Sequence, residues 1–572
     1  MKRQSLSSNY YDCTLSRRAL LKSLLAAGGG LSAAALLGAC APPAAPAAQP
    51  TSAAAPGTQA PAAAATSAPA AAAKTEPTKP PATAAASQAT PVKRGGDMVV
   101  ALQADVSTLD PLTSNSNPNN GVLLQIYGRL LQLDEKANLV PSLAQSWEEA
   151  KDHLSWTLRL RPGVKFHDGT DLDAAAVKFN LDRFMDPKAA SPRSGELAYL
   201  TGVTVVDPLT VKLQLSKPNA SLMYSFMDHA GDVLSPAAVK QYGEDIARRP
   251  VGTGPFVFKE WVKNDRIVLV RNENYWNRGY PYLNSITYKP IADATARLNG
   301  IRTGALHFDR RQAARDLTSL KNDPNFQVII RPSTTILPWR FNLAVPPLDK
   351  KEIRQALCWA VDTAAIGSGI FFGAGTPATQ LPAPSVLGYD PDLTMYSKQG
   401  LAKAKTLLAA GGQPNGFKMS MMVNANAVDD GKVAQAIKSD LEKIGVTVEL
   451  QLLEQTKLIQ EMNANRFTSV IAGHSGKFDP FFSFSRFFQS QSTLNNYAYK
   501  SPEFDKLLEQ SAATADAQER AKVYRQISRL LAEDAVWCYI RHAESAHVLR
   551  KEVKGYVYNP DELEHLDNVW LE

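Results

Sequence analysis

Alternating hydrophobic and polar positions indicate several strands after residue 95. In HLSWTLRL the apolar residues Leu154, Trp156, Leu158 and Leu160 alternate with polar neighbours, which predicts a half-buried strand over 153–160. The same reasoning predicts strands in DMVVALQAD, in TVKLQL (210–215), in RIVLVRN (266–272) and in the VTVELQLL part of KIGVTVELQLL.

Helical periodicity occupies the stretches between these strands. Val177, Leu181 and Phe184 share one face of DAAAVKFNLDRFM, and Asp171 or Asp173 is the expected N-cap. Further amphipathic helices are predicted for residues 352–366, 402–412, 430–446 and 517–534. Mixed strands and helices indicate an α/β or α+β architecture, and 572 residues indicate two or three domains.

The first 39 residues have the features of an export signal. Two arginines in SRRALLK precede the apolar run Ser23–Ala39, which is shorter than the roughly 20 residues of a membrane span. The arginine pair resembles a twin-arginine signal. The run ends in LLGAC, which resembles a bacterial lipobox and predicts that Cys40 becomes a lipidated N-terminus; an ordinary secretory signal with a chance cysteine is the alternative.

Residues 40–94 are predicted to be the lipidated cysteine followed by a disordered tether. Residues 41–94 contain 23 Ala and 11 Pro, and proline breaks helices while so few large apolar side chains cannot form a core. The formal net charge of +7 resides entirely in residues 1–94. The body after the tether is therefore neutral in sum, and nothing in it indicates a nucleic-acid partner.

Cysteine and histidine spacing gives no sign of a metal site. Cys13, Cys40, Cys358 and Cys538 include no CxxC pair. Cys358 and Cys538 lie in apolar segments and are predicted to be buried free thiols, although a disulfide between them stays open.

The segment RLRPGVKFHDGT raises the question of catalysis, because His167 stands beside Asp168 next to a glycine. Such a pair is compatible with part of a catalytic triad or with two metal ligands. The eight histidines are scattered, and none stands in a nucleophile-elbow or HExxH context. A structural role in a turn is the stronger interpretation, since Pro-Gly and Asp-Gly are turn dipeptides.

Four stretches of the chain carry a family resemblance, at residues 139–184, 250–276 (with the GTGPF turn), 341–362 and 499–510. In this order they resemble the family 5 extracellular solute-binding proteins, the peptide-, nickel- and oligosaccharide-binding receptors of ABC importers. The likeness covers roughly residues 95–572. It implies an α/β, two-lobed periplasmic-binding-protein-like fold (class II, large type with an extra subdomain), with mixed sheets flanked by helices.

The resemblance also implies an order of domains along the chain. An export signal (1–39) and tether (40–94) would precede a first lobe at 95–295, which carries an inserted subdomain at about 138–205. A second lobe at 296–534 would follow, and residues 535–572 would return to the first. A ligand would bind in the cleft, and the lobes would close around it by a hinge motion.

One segment bears on the identity of the ligand. In peptide-binding members an aspartate near the end of a glycine-aromatic strand pairs with the ligand's α-ammonium. The equivalent stretch here, AGHSGKFDP (472–480), has His474 where an aromatic is usual and Lys477 in the neighbourhood of that aspartate. Burying an ammonium without a counter-charge costs several kcal/mol. An acidic or hydroxyl-rich ligand is thus favoured, unless Asp479 restores the pairing or Lys477 is merely a solvated loop lysine.

Other positions are predicted to face the cleft from the resemblance. Trp339 and Arg340 precede a strand end, where arginine would bind a carboxylate and tryptophan would stack on a ligand; a solvent-facing arginine is the alternative. Asn115, Ser116 and Asn117 lie in the first cleft loop and are candidates for ligand contacts or for turn caps. Phe481 follows the Asp-Pro pair where the nickel receptors have histidine, which disfavours a nickel chelate.

These observations together predict a non-catalytic receptor without cofactor or metal. It would be an extracytoplasmic monomer held at the membrane by its lipid, and it would deliver a peptide, oligosaccharide or related small solute to an ABC permease and its ATPase. The alternatives are a sensory or adhesion lipoprotein on the same fold and, with less support, a hydrolase.

Overall fold

The computed structural model describes residues 92–114, 117–189, 191–310, 314–425 and 427–572. The predicted export signal, Cys40 and most of the predicted tether lie outside these residues. Within the described ranges no helix combines the length and apolar character needed to cross a bilayer.

The elements of residues 92–310 are numbered in chain order. They are β1 (Asp97–Leu102), α1 (Asn117–Ile126), β2 (Leu131–Leu133), β3 (Leu139–Pro141), β4 (Ala144–Glu149), β5 (Ser155–Leu160), α2 (Ala174–Met185), β6 (Leu200–Asp207), β7 (Thr210–Leu215), α3 (Leu222–Ser225), α4 (Pro236–Tyr242), β8 (Phe256–Val262), β9 (Arg266–Arg271), β10 (Ser285–Pro290), α5 (Ala294–Thr303) and β11 (Phe308–Asp309). Short 3₁₀ turns occupy Pro187–Ala189, Ser194–Leu197, His229–Gly231 and Gly243–Ala247.

The elements after residue 313 continue this numbering. They are α6 (Ala314–Lys321), β12 (Phe326–Phe341), α7 (Lys351–Ala360), α8 (Thr363–Phe371), β13 (Thr376–Pro377), α9 (Leu401–Ala410), β14 (Lys418–Asn424), α10 (Val428–Glu442), β15 (Thr447–Leu453), α11 (Gln455–Asn463), β16 (Ser469–Ile471), β17 (His474–Ser475), α12 (Phe481–Phe488), α13 (Pro502–Ala513), α14 (Ala517–Asp534), β18 (Trp537–Arg550), β19 (Val553–Lys554) and β20 (Trp570–Leu571).

Nine of the ten elements that the sequence patterns predict are present in the structure. The strands β1, β5, β7, β9 and β15 and the helices α2, α9, α10 and α14 are confirmed, and Asp173 is the N-cap of α2, accepting from the Ala176 amide. The single helix predicted over 352–366 is wrong. Asp362 accepts from the amide of Ala365 at 2.9 Å, and this cap starts a second helix after α7 has ended.

A long antiparallel pair, β12 with β18, joins the two halves of the molecule. The main sheet runs in the order β15-β14-β16-β12-β18-β11-β1-β10-β9-β8. One end of the pair, Phe326–Pro332 with 544–550, continues to β11 and β1. The other end of β12 hydrogen-bonds to β16, which leads to β14 and β15. The register of the pair shifts between Pro332 and Ile336, so its regular ladder is interrupted where one half gives way to the other.

Packing around these two ends defines two lobes. We call the part packed around β1 the first lobe, whose buried clusters contain Val100 and Val548. The part packed around β14 and α12 is the second lobe, with clusters that contain Val423 and Phe484. The segment 296–332 packs with β1 and β18 rather than with β14, so its contacts favour a lobe boundary near the register shift over one at 295/296.

A separate antiparallel sheet, β4-β5-β7-β6, forms the core of a subdomain of the first lobe. The alternating residues Trp156, Leu158 and Leu160 of β5 are buried in its core, and α2 packs on the same cluster. This cluster continues to Val233, beyond the predicted end of the subdomain at 205. The segment after β7 carries Asp228, which accepts a hydrogen bond from Lys477 of the second lobe.

Candidate functional site

The segment between β16 and α12 lies where the two lobes meet. His474 and Ser475 form β17, which pairs with Thr335 and Ile336 of β12. The amide of Gly476 donates to the Thr334 carbonyl at 3.0 Å, and a Cβ at position 476 would lie 2.7 Å from that oxygen. Glycine is therefore needed for this close approach, which fixes the direction in which the next residue leaves the strand.

Lys477 extends from the second lobe to two carboxylates of the first. Its Nζ donates to Oε1 of Glu196 at 2.8 Å and to Oδ2 of Asp228. Arg193 binds the same acids from the other side, with Nη1 lying 2.8 Å from Glu196 and 3.4 Å from Asp228. Two basic and two acidic side chains thus form one cluster across the cleft.

The electrostatics of this cluster keep both acids ionised. Burial alone would raise the pKa of Asp228, but Lys477 and Arg193 hold that pKa well below its usual range. Burial likewise opposes ionisation of Glu196, and Lys477 and Arg193 lower its pKa. The second oxygen of Glu196, Oε2, is buried and has no hydrogen-bond partner among the described residues, so it is an unused acceptor at the cleft.

The acids are themselves held in place by the first lobe. Asp228 caps the turn His229–Gly231 by accepting from the His229 amide at 2.9 Å. His229 is fully buried, with Nδ1 lying 3.0 Å from Asp232 and Nε2 lying 2.8 Å from the side chain of Asn120. Asp232 in turn accepts from Nε of Arg129 at 3.1 Å. Asp228 therefore projects into the cleft from a rigid, hydrogen-bonded base.

His474 stands beside Lys477 in a positively charged environment. Its ring meets the ring of Phe487 edge to face, with centroids 4.6 Å apart, and Nε2 lies 3.1 Å from the hydroxyl of Ser483. Burial, then Arg340, Arg486 and Lys477, lower the pKa of His474 well below its usual value. The imidazole is accordingly neutral at physiological pH.

Trp339 and Arg340 are structural in this arrangement, and neither fits the predicted ligand contact. Trp339 is fully buried against Phe341, with ring centroids 4.6 Å apart, so its face cannot stack on a ligand. Arg340 is 4% exposed. It donates to the hydroxyl of Tyr497 and to the carbonyl of Ala472, both at 2.7 Å, so neither of these donors is free for a bidentate carboxylate.

Asp479 is buried and already bonded, which removes the alternative that it binds a ligand ammonium. It is 1% exposed and accepts from the Tyr524 hydroxyl and from the amide of Phe481. Its Oδ2 lies 3.4 Å from Nε of Arg520, which is equally buried. Its carboxylate stabilises the start of α12 and the packing of α14.

The predicted first cleft loop is described in part. Asn115 and Ser116 lie outside the described residues, and for Asn117 the structure describes the backbone at the start of α1. The carbonyl of the neighbouring Ser114 accepts from Nε of Arg193 at 2.7 Å. This loop therefore begins next to the charged cluster, and ligand contacts by its three polar residues stay a prediction.

Further contacts hold the lobes together in this closed arrangement. The Ala220 amide donates to the carbonyl of Ala512 at 2.9 Å, and the rings of Tyr199 and Phe481 lie 6.3 Å apart. A cavity of about 10 Å³ next to Lys477 has room for about one water molecule. It is lined by Thr334, Leu381, Pro382, Ala383, Val386, Gly476, Lys477, Pro480 and Ser483. A solute group can enter at this point if the lobes first separate.

Sequence reasoning missed four charged residues of this site. Arg193, Glu196 and Asp228 are remote from 472–480 along the chain, and no local pattern connects them with Lys477. Arg486 had a visible signal, since it is the one charged residue of FFSFSRFF. The phenylalanines of that stretch are buried, and Arg486 is the exposed residue of α12.

His167 and Asp168 serve the backbone of the subdomain. Nε2 of His167 lies 3.1 Å from the carbonyl of Gly254, and Nδ1 lies 3.4 Å from the amide of Gly252, so both ring nitrogens are used. Asp168 accepts from Ser235 and Thr170 instead of from His167. The following Gly169 has φ of +85°, as an Asp-Gly turn requires.

The two cysteines of the body are buried free thiols in this structure, Cys358 on α7 and Cys538 on β18. Burial, then the neighbouring Cys538, raises the pKa of Cys358 well above its usual value, so this thiol stays protonated. Within the part of the chain that the structure describes, no group of three or more His, Cys, Asp or Glu side chains is arranged to hold a metal ion.

Comparisons of this sequence with protein-family models and with known proteins both find matches. The family model described as "Bacterial extracellular solute-binding proteins, family 5 Middle" matches residues 138–496. The glutathione-binding protein GsiB of Pectobacterium atrosepticum is 30% identical over 491 residues, covering 84% of this chain and 95% of GsiB.

Solved structures with the same fold include two complexes. The periplasmic binding protein DppA of Helicobacter pylori, in complex with the peptide STSA, is 25% identical with a TM-score of 0.74, covering 84% of this chain and 99% of DppA. The binding protein AgaA of A. tumefaciens R10, in complex with agropinic acid, is 27% identical with a TM-score of 0.74, covering 83% of this chain and 99% of AgaA.

Proposed function

The chain belongs to the family 5 bacterial extracellular solute-binding proteins, and from this premise we propose that it closes two lobes on a small solute that lacks a free amine. It is a substrate-binding component of an ABC importer and acts outside the cytoplasm. The observation that carries the choice of solute is the cross-lobe contact of Lys477 with Glu196 and Asp228.

The solutes named for the similar proteins are chemically diverse. One relative is named for glutathione, one structure holds a peptide and another holds agropinic acid. Membership of the family therefore leaves the solute open. The chemical groups that the cleft accepts are therefore inferred from the residues of this chain's own cleft.

A free ammonium is disfavoured at the cluster for an electrostatic reason. A second cation next to Lys477 and Arg193 would meet two like charges, and both acids that could balance it are already paired. Like charges at such distances cost several kcal/mol when partly buried. The unused Oε2 of Glu196 suits a neutral donor, such as a sugar hydroxyl or an amide N–H.

We further propose that the chain is a receptor without enzymatic activity. Proteins of this family bind solutes, and the residues that raised the question of catalysis in this sequence bond to backbone and to turn residues instead. His474 approaches the hydroxyl of Ser483, but this hydroxyl lies at the edge of a cavity with room for about one water molecule. A hydrolase would have to place a scissile bond there.

The division into lobes that we propose follows the packing. The first lobe extends from about 95 to 332 and resumes at about 544, with the subdomain inserted between β1 and β8. The second lobe extends from about 336 to 542. The hinge consists of the two segments in which β12 and β18 pass from one lobe to the other, 332–336 and 542–544. The regular register of the strand pair is interrupted in these segments.

The attachment to the membrane is proposed from the N-terminal sequence. Cys40 would carry the lipid, the Ala- and Pro-rich tether would let the receptor reach its permease and ATPase, and the receptor itself would be monomeric.

A sensory or adhesion role on the same fold is the alternative to transport. Loss of solute uptake in cells without the protein would support transport, and intact uptake would support the alternative.

A thermal-shift screen of residues 92–572 tests the choice of solute. The panel contains dialanine, N-acetyl-dialanine, glutathione, N-acetyl-glutathione, agropinic acid, neutral oligosaccharides and a nickel chelate. A ligand of the folded state raises stability by about 2.7 kcal/mol at a hundredfold excess over Kd. We expect at least one amine-free compound to raise Tm, and we expect N-acetyl-dialanine and N-acetyl-glutathione to raise it more than dialanine and glutathione. A higher Tm with dialanine than with N-acetyl-dialanine would contradict the proposal.

A further inference from the structure

The second-lobe face of the cleft carries more positive charge than the first lobe balances. Arg193, Arg340, Lys477 and Arg486 are basic, and the acids among them are Glu196 and Asp228. This group therefore has a net charge of +2, because the neighbouring acids Asp232 and Asp479 are paired with Arg129 and Arg520.

Two of the basic groups that make up this excess positive charge lie around the ring of Phe487. The guanidinium carbons of Arg340 and Arg486 each lie 5.4 Å from the centroid of the Phe487 ring, and His474 meets the same ring at 4.6 Å. Because His474 is neutral, it can donate or accept a hydrogen bond without adding charge. Two guanidinium groups and an imidazole thus lie around the same phenylalanine ring.

Arg486 differs from the other basic groups in having free donors. Arg193, Arg340 and Lys477 donate to protein acceptors, whereas the guanidinium of Arg486 has no hydrogen-bond or ion-pair partner within the described residues. Glu196 and Arg193 of the first lobe are close enough to act on its charge, so the side chain lies at the interface of the lobes. Its donors are available for a group that enters with the solute.

We propose that Arg486 is the specificity-determining residue of the cleft and receives a carboxylate of the solute. A guanidinium binds a carboxylate through two parallel hydrogen bonds, and a carboxylate would neutralise half of the local surplus of charge. His474 and the Phe487 ring lie beside this guanidinium. This inference rests on the proposed function and narrows its solute class to amine-free acids, such as acylated peptides or acidic sugars.

The bound carboxylate also completes the closed state. With the solute present, Glu196 keeps Lys477 and Arg193, and the carboxylate supplies the counter-charge that Arg486 lacks. Contacts to both lobes then favour closure more than either contact alone. A neutral solute of the same shape would leave Arg486 desolvated and unpaired. The free-energy cost of this unpaired guanidinium makes the neutral solute bind more weakly than the acid.

Matched pairs of acids and neutral analogues test the proposal on the full-length protein. The first pair is N-acetyl-alanyl-alanine with its C-terminal amide, and the second is digalacturonic acid with the neutral digalactoside. Binding is measured by calorimetry at low ionic strength, and the ring resonances of His474 report occupancy by NMR. In the wild type we expect at least one acid to bind about tenfold more tightly than its neutral partner and to shift His474.

Variants of Arg486 separate a binding role from a general effect of charge. Arg486→Gln should reduce the preference for the acid to less than about threefold, and Arg486→Lys should retain part of it. Lys405→Gln removes one positive charge from an exposed position of α9 and should leave the preference unchanged. Because Arg486 is exposed, its replacement leaves the core of α12 intact.

Each outcome decides for or against the proposal. Acid preference that persists in Arg486→Gln, equal binding of acid and neutral partner, or no His474 shift with either acid would overturn it. Tight binding of neutral solutes with lobe closure would leave the proposed function standing while this inference fails. Absence of binding and closure with every compound of both panels would instead remove the proposed function as well.

Discussion

The ammonium nitrogen of Lys477 lies 2.8 Å from Oε1 of Glu196, although 281 residues separate the two along the chain. The contact joins the second lobe to the first and is shared with Asp228. Lys477 thus occupies, from within the protein, the position at which a cationic ligand group would be stabilised by these acids. The closed arrangement already contains its own cation.

Replacing Lys477 by Met should therefore favour the open state. Partly buried charge pairs at interfaces contribute about 1.5 kcal/mol or more, and each 1.4 kcal/mol changes the open-to-closed ratio about tenfold. We expect a larger radius of gyration by small-angle X-ray scattering and a weaker dependence of this radius on salt. Lys217→Met is the matched control, because its pair with Glu509 also crosses the cleft but is more than half exposed on both sides. An unchanged radius in Lys477→Met would show that the other interlobe contacts suffice for closure.

Asp479→Ala should reduce stability without changing the choice of solute. The side chain of Arg520 is 4% exposed, and removing its partner leaves a buried, uncompensated charge at a cost of about 3–5 kcal/mol. Urea denaturation measures this loss, and Asp479→Asn should lose less because the amide oxygen still accepts from Phe481 and Tyr524. A strong change in solute affinity at unchanged stability would restore Asp479 as a ligand contact.

The nine confirmed elements and the family could be predicted from the sequence because both depend on local patterns. Alternation along β5 and the capping position of Asp173 are readable without a structure, and both are confirmed. The break between α7 and α8 was missed because the helical pattern continues through Val361 and Asp362, whereas the cap geometry depends on how the chain turns there.

The site could be predicted in part. Position 477 was identified from the local departure AGHSGKFDP, but its partners Glu196 and Asp228 belong to another lobe and carry no local signal. Trp339 and Arg340 were misplaced because a strand end reads the same in sequence whether its side chains face a cleft or a core. Tertiary contacts with Phe341 and Tyr497 decide between the two.

His167 should make stability depend on pH in the acid range. Burial lowers the pKa of His167 from 6.5 to about 4, although the Gly254 carbonyl and Asp168 oppose this change. The unfolded state therefore binds a proton that the folded state excludes. The contribution is complete above pH 6.5, and falls by about 3 kcal/mol as the pH is lowered from 6.5 to 4.

Chemical denaturation of His167→Gln at several pH values measures this effect as a difference from the wild type. The variant keeps a donor for the Gly254 carbonyl and should be closest to the wild type at pH 4, with the gap widening toward pH 6.5. His153→Gln is the control, since its side chain is 45% exposed. A difference between His167→Gln and the wild type that stays constant over this range would show that burial does not exclude the proton.

Lys477→Asp should convert the cleft to one that accepts a free amine. The variant places a third carboxylate beside Glu196 and Asp228, with Arg193 as the remaining basic partner of that group, so the free protein gains like-charge repulsion across the cleft. A ligand ammonium relieves this repulsion and takes the place that the lysine ammonium had. We expect the variant to be more open without ligand and to bind dialanine more tightly than N-acetyl-dialanine, the reverse of the wild type.

Lys477→Met, which removes the cation without adding an acid, is the control and should show no strong preference between these two compounds. Calorimetry with both dipeptides measures the reversal, and equal affinities in Lys477→Asp would mean that the solute's terminus binds elsewhere in the cleft.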